Sequence, residues 1–544
     1  MNYFTTREQF LFSSFTLDMQ EQEKLDRYLL LLDKSGVSEL FPKKDLYEQQ
    51  KGGRPHYRYT DLFAVVLYGF AFTSGSLRDI EDACKYDLRY IYLMEQETPG
   101  HAILGKFIND VIVENCDEIF KRITKAIIEE LGIDTDDCFV DGSKFEADAN
   151  KYKFVWKPTK FHNRLSDKIR VLLKELDLAR GVPEKGIIPA SLIAEKISLL
   201  SEMVKADSLL NKKYNLLSSY LTKSLEYEEK ERICGENRNS YYKTDHDATA
   251  MTLKQDYYSG LGSSMHAAYN TQLLVSKGVI CSYYVSQSRS DIDDFIPVLK
   301  AFHDNFGIYP KRVCADSGYG SLDNYSFLES NGIGNYVKYF TFDGNVSGRN
   351  PDCYQLKEDH TIVCLNSLTG YPVEIDIRHP RKAGAVFYRV DGCRGCPFSL
   401  FCKRYMKVKD ENYKIFEIQE KLTFYKQEAF DNLLSPKGIE MRINRSSQVE
   451  GAFGVIKEDM NYTRLRRTSF EKAKTEFMLT FLGYNIRKLF RFLSGKAKLN
   501  YWVAPDDLKP EKKKKPSAKT LANKTQKKQS KSLNQISKDS YNYK

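Results

Sequence analysis

Asp141, Asp316 and Glu450 are the residues whose types and settings carry the most chemistry in this sequence. Asp141 follows the apolar run Cys138-Phe139-Val140 and Asp316 follows Arg312-Val313-Cys314-Ala315, each with a glycine within two positions. A strand end holds an aspartate rigidly, and the glycine lets substrate or metal come close. In a mixed sheet with those two strands adjacent, the carboxylates meet. Two hard oxygen donors and a third carboxylate suit Mg²⁺ or Mn²⁺. Two such ions about 4 Å apart activate a water or 3′-hydroxyl and stabilise the leaving oxygen at a phosphodiester. Asp-Gly is also an ordinary turn dipeptide.

The third carboxylate lies in Arg442 to Lys457, where Glu450, Phe453 and Lys457 fall at i, i+3 and i+7 on one helical face. A ligand would then sit beside phosphate-binding cations. Ser447-Gln448-Val449-Glu450 also reads as a capping box, in which Glu450 only satisfies the first turn. Two further sites compete for attention. Cys393, Cys396 and Cys402 combine a CxxC pair with a third thiol, a spacing that suits structural zinc with Cys353, His360 or Cys364 as fourth ligand. Buried or surface thiols explain them equally well. Trp156 lies between Lys153 and Lys157, where an aromatic could stack on an unpaired base or simply pack at the edge of a core. His246 and His266 have no convincing catalytic partner.

The elements that must position these groups follow from the apolar pattern. Residues 1–132 read as helices: Leu62–Phe72 with Thr60 as N-cap, a stop at Ser74-Gly75-Ser76, an amphipathic Leu77–Cys84, and a longer pattern over Ile103–Leu131. The helix, tight turn and helix suit a DNA-reading helix-turn-helix, and equally an ordinary bundle. Residues 133–500 then alternate. Strands are expected at Cys138–Val140, Ala268–Val275, Val279–Val285 and Arg312–Ala315, with a helix over Asp291–Phe306. Two insertions interrupt them: 160–238, helical by its leucine and isoleucine spacing, and 341–419, β-leaning and Cys-bearing. An apolar helix, Phe477–Leu493, is core or dimer interface. The fold class expected is mixed α/β or α+β.

Of 544 residues, 42% are apolar and 29% charged, which excludes a wholly disordered or fibrous chain. The net charge of +10 resides in the tail: residues 508–544 hold twelve lysines and two acids, leaving 71 basic and 71 acidic residues elsewhere. That Lys-rich tail reads as disordered, able to attract DNA without sequence preference or merely to solubilise the chain. The longest apolar run, Leu62–Phe72, is too short to span a bilayer, and the N-terminus lacks a signal-peptide layout. Eleven scattered cysteines favour reduced thiols, hence a cytoplasmic protein.

Four blocks, DGSKFEADANKYKFVWK (Asp141–Lys157), AYNTQLLV (Ala268–Val275), ADSGYGSLDNY (Ala315–Tyr325) and RSSQVEGAFGVIKED (Arg445–Asp459), resemble the motifs of bacterial insertion-sequence transposases with a DDE catalytic triad. The group they resemble most is the insertion-sequence group numbered eleven eighty-two. GGRPHYRYTDLF (Gly52–Phe63) and LRDIEDA (Leu77–Ala83) are similar to its helical N-terminal domain.

The resemblance implies an RNase H-like core that holds two Mg²⁺ or Mn²⁺ ions on Asp141, Asp316 and Glu450. It implies hydrolytic nicking at the element's ends and attack of the freed 3′-hydroxyl on target DNA, by at least a dimer on DNA. Lys457 matches the family lysine seven positions after the Glu, and Lys144, Arg445 and Trp156 join it as candidate DNA contacts. Related transposases often carry Arg four positions before the Glu; here that position is Ser446, with Arg445 beside it. If a helix begins at Ser447, Arg445 lies in the preceding loop. A nuclease that cuts without joining, or a DNA-binding protein that has lost activity, are the alternatives.

Overall fold

The computed structural model describes residues 17–42, 57–73, 75–203, 208–236, 238–254, 265–374, 384–406, 411–496 and 501–523. Gly52 to His56, Ser74 and the tail beyond 523 lie outside them. The fold is mixed α and β. Its centre is a sheet of β1 (Asp137–Glu146), β4 (Thr249–Met251), β5 (His266–Ser276), β6 (Val279–Ser286), β7 (Arg312–Ala315) and β8 (Gly334–Val337). β5 runs antiparallel to β1 and to β6, whereas β7 is parallel to both β1 and β8, giving the order β6-β5-β1-β7-β8. β4 pairs with the start of β5. Every residue of β5 after His266 is buried, as expected of a strand covered on both faces.

β1 is longer than the run Cys138–Val140. Its pairing with β7 stops at Val140 and Ala315, while its pairing with β5 continues to Glu146. Asp141-Gly142 is therefore inside a strand, and the turn reading does not hold for Asp141. A Cβ on Gly142 would sit 2.4 Å from Gln272 Oε1 across the ladder. Only glycine lets that side chain cross.

One hydrophobic core runs from Leu25 to Phe490 and includes both the N-terminal helices and the sheet. Residue 132 thus divides types of secondary structure and does not divide the packing. The helix Phe470–Leu493, apolar on nearly all sides, is buried between the sheet and the helices Tyr59–Phe72 and Cys116–Leu131. Its Asn485 donates to Ile280 O and accepts from Ile280 N, both at 2.9 Å, which ties the helix to β6. Gly483 lets it meet the next helix closely, since a Cβ there would be 2.8 Å from Phe70 O. The Phe477–Leu493 segment is thereby core.

Tyr59–Phe72 begins at an Arg58 N-cap, two residues earlier than a Thr60 cap implies. It bends by 105° into Leu77–Tyr86. The exposed charged residues of Leu77–Tyr86, which are Arg78, Asp79, Asp82 and Lys85, balance in charge, and Tyr86 is exposed beside them. That surface offers phosphates no net attraction. Among the described residues no single helix is long and apolar enough to cross a membrane.

Both insertions form units with their own cores. Between β2 (Phe154–Trp156) and β3 (Ser240–Tyr242), which pair as a ribbon, the helices Thr159–Glu175, Ala190–Met203 and Ser208–Cys234 pack around Ile169, Leu173 and Ile193. After β8, the strands β9 (Tyr354–Leu356), β10 (Ile362–Cys364), β11 (Thr369–Pro372), β12 (Val386–Asp391) and β13 (Tyr413–Ile418) form a five-stranded antiparallel meander. The tail differs from expectation up to residue 523. Glu511 N donates to Leu434 O at 2.9 Å, Lys514 N donates to Val346 O at 3.0 Å, and Leu521 is buried. Backbone hydrogen bonds and one apolar anchor hold this stretch on the body despite its lysines.

Candidate active site

The parallel pairing of β1 and β7 ends one residue before Asp141 and one before Asp316, so the two aspartates leave adjacent strands side by side. Asp141 lies deep, with 26% of its side chain exposed. Asp316 is exposed and caps the short turn Ser317–Tyr319, accepting from Ser317 N at 2.7 Å. Glu450 arrives on a long helical rod, Pro436–Asp459, whose start is set by Ser435 accepting from Gly438 N at 3.0 Å and by Pro436.

That rod changes the reading of its motif. It is α-helical over Pro436–Arg445 and Gly451–Gly454, and π-helical over Ser446–Glu450 and Val455–Asp459. No helix begins at Ser447, so Glu450 is not a capping-box residue and Arg445 is not in a loop. The π-helix repeats its hydrogen bonds at i+5, a widened turn common at functional sites. It brings Arg445 and Glu450, five apart, to one side: Arg445 Nη2 is 2.5 Å from Glu450 Oε1, and Nη1 is 3.7 Å from Asp141 Oδ2. The one-residue departure from an Arg-to-Glu spacing of four is thus absorbed by the helix type.

Arg445 gathers the three carboxylates. Burial opposes its charge, but Asp141, Glu450 and Asp316 together raise its pKa above the ordinary value. Burial pushes Asp141 up to about 6; Arg445 and the Gly142 amide oppose this, and the negative charges of Glu450 and Asp316 add to it. Among the described residues no three His, Cys, Asp or Glu side chains are drawn up at metal-bonding separations. The side-chain chemistry is that of hard oxygen donors, and Arg445 pairs with two of the three carboxylates, Asp141 and Glu450.

A cleft of about 370 Å³ opens beside Asp141, lined by Ser143, Lys144, Lys254, Asp291 and Lys457 among others. Lys457 donates to Ser143 Oγ at 2.6 Å and to Lys144 O at 3.0 Å, and its ammonium lies 4.4 Å from the Phe145 ring centre. Burial, reinforced by Lys254, lowers the Lys457 pKa to about 8. Trp156 stands apart on the β2–β3 ribbon, 47% exposed, with Arg289 5.6 Å from its ring centre. Cys393, Cys396 and Cys402 lie in the meander, away from the carboxylates.

Several further polar residues surround the site. Gln272 accepts from Tyr319 OH and donates to Asp291 Oδ1 at 3.0 Å, while Asn270 donates to the same oxygen at 2.6 Å. Burial raises Asp294 to about 6, and Ser286 donates to it at 2.6 Å. The available signal was two amides, Asn270 and Gln272, spaced to share one face of an otherwise apolar strand. Lys254 offered none.

Two family descriptions match this chain. Residues 17–110 match the family described as Transposase domain (DUF772), and residues 373–490 match the family described as Transposase DDE domain. The first covers the N-terminal helices; the second covers Arg445, Glu450 and Lys457 but ends the comparison short of Asp141 and Asp316. Together they support an insertion-sequence transposase, an enzyme acting on DNA. No curated protein and no solved structure matches the chain.

Proposed function

We propose that this chain is a metal-dependent DNA transposase that cuts the ends of an insertion sequence and joins the freed 3′-hydroxyl to target DNA. One observation supports the reading: Arg445 pairs with both Asp141 and Glu450, and Asp316 leaves the strand next to that of Asp141, so acids from distant parts of the sequence come into one neighbourhood. The strand order β6-β5-β1-β7-β8, with only β5 reversed relative to its neighbours β1 and β6, supports an RNase H-like core.

Asp141, Asp316 and Glu450 would hold Mg²⁺ or Mn²⁺. When bound, such ions activate the attacking oxygen and stabilise the leaving one. Asp141 is held in place by β1 and by the Gly142 amide, which donates to its Oδ1 at 3.0 Å. Lys457, Lys144 and Lys254 would draw the backbone of the strand into the cleft beside it. Arg445 would turn from the carboxylates to a phosphate as substrate enters. The N-terminal helices would read the terminal repeats, and two copies would act together, since two ends must be cut. The insertion-sequence group numbered eleven eighty-two and a cytoplasmic site of action on nucleoid DNA complete the proposal.

The test is cleavage and strand transfer on a labelled duplex carrying the flanking element end, with Mg²⁺, Mn²⁺ or EDTA. Wild type is compared with Asp141→Asn, Asp316→Asn and Glu450→Gln. Metal-dependent joined products, lost in each variant while end binding persists, are expected. Cutting without joining would make the chain a nuclease, and binding without cutting a DNA-binding protein.

A further inference from the structure

Six of the eleven cysteines are buried; the five half-buried ones, Cys353, Cys364, Cys393, Cys396 and Cys402, all belong to the β9–β13 unit. Four of them, Cys364, Cys393, Cys396 and Cys402, line a single cavity of about 20 Å³. That is room for one water-sized occupant. The thiols come from three backbone pieces: the end of β10, the turn after β12, and the end of the short helix Ser399–Cys402. In the turn, Cys396 N donates to Cys393 O at 3.3 Å, and Gly395 takes the left-handed conformation at φ +75°. The two sulfurs of the CxxC are thereby carried on one tight loop.

We infer that Cys364, Cys393, Cys396 and Cys402 form a structural zinc site. Four thiolates around Zn²⁺ make a closed tetrahedral centre with no position left for catalysis. Such a centre carries two net negative charges, and two cations flank it: Lys414 Nζ is 3.2 Å from Cys402 Sγ, and the buried Lys403 lines the same cavity. The unit also needs a staple. Among the described residues its apolar cluster holds Leu356, Ile362, Tyr388, Val390, Phe416 and Ile418 as buried members, little for a five-stranded sheet.

The cavity selects the fourth ligand. His360 points into solvent and pairs with Glu420 Oε2 at 2.9 Å, and Cys353 hydrogen-bonds to Cys402 but does not line the cavity. The sulfurs are not at metal-bonding separations, so they close on the ion by rotating about their side-chain bonds. Each ligating thiol releases its proton to solvent as its sulfur binds.

The test is metal analysis of the full chain, purified without added chelator or affinity metal. One zinc per chain is expected in wild type and in Cys353→Ser. In Cys393→Ser/Cys396→Ser and in Cys364→Ser it should fall at least tenfold. A second measurement is independent of how the variants fold: Co²⁺ added to chelator-stripped wild type should give the intense near-ultraviolet band of tetrahedral cobalt thiolate. Wild type with no zinc and no such band would overturn the site, as would zinc retained by the double variant. Loss in Cys353→Ser with retention in Cys364→Ser would overturn the fourth ligand, and stoichiometric iron would overturn the metal.

Discussion

Replacing Asp141 by Asn should stabilise the metal-free protein at neutral pH. The folded chain raises the Asp141 pKa from 3.8 to about 6. The folded state therefore holds this proton more tightly than the unfolded state does, and stability drains away as pH climbs from about 4 to about 6. At about 1.4 kcal/mol per pH unit, the loss at pH 7.5 is about 3 kcal/mol. Asn has the shape of the protonated acid and never incurs it. For a chain of 544 residues, with an unfolding entropy near 2 cal/mol/K per residue, that is a rise in Tm of roughly 3 °C. The assay is thermal unfolding in EDTA from pH 4 to pH 8. The two proteins should nearly coincide at pH 4, diverge between pH 4 and pH 6, and keep a constant gap above that. Divalent metal at about a thousand times its Kd should then reverse the order, because it stabilises wild type by about 4.1 kcal/mol and has lost a donor in the variant. Asp316→Asn, changing an exposed carboxylate, should stay within about 0.5 kcal/mol of wild type in EDTA. An Asp141→Asn protein no more stable than wild type at pH 7.5, or a gap independent of pH, would refute the reasoning.

Arg445→Gln leaves Asp141 deep in the site without its cation, so Tm in EDTA should fall by an amount worth about 1–3 kcal/mol, and metal should recover more of it than in wild type; melting with and without Mg²⁺ reads both. Lys457 loses its charge near pH 8, so DNA cleavage should decline as pH rises through that value. Lys457→Arg should move that limb upward, and Lys457→Met should reduce the salt slope of DNA binding by about one. Gly142→Ala puts a methyl 2.4 Å from Gln272 Oε1, which should cost about 1–3 kcal/mol and break the Tyr319–Gln272–Asp291 chain, seen as a lower Tm with lower cleavage.

What the sequence made legible follows the range of each interaction. The apolar runs announced β1, β5, β6 and β7, and Asp141 and Asp316 stood out because each follows such a run with glycine close behind. The extent of β1 was hidden, because residues 141–146 are paired by β5 and not by any local preference. The same limit applies to Lys254 and Asp291. Each acquires its place through partners far along the chain, and no spacing within its own segment records them. A switch from helix to strand at residue 132 says nothing about what packs on what, and here one apolar core includes residues from both sides of it.

The rod that carries Glu450 is where local reading went furthest astray, and the cause is specific. Helical-face arithmetic assumes 3.6 residues per turn, which sets positions five apart on nearly opposite sides. On that assumption Arg445 and Glu450 do not meet, and a helix start at Ser447 becomes the natural explanation of the Ser-x-x-Glu pattern. Two π-helical stretches change the count, and the same letters then place Arg445 against Glu450 and Lys457 against Ser143. π-turns trade hydrogen-bond quality for placement, so they persist where surrounding contacts favour the placement. Here those contacts are the ion pairs of Arg445 and the Lys457 anchor on β1. The acids that draw Arg445 in are the acids a divalent ion would bind. Under the proposed function, metal and guanidinium would therefore compete for the same charge.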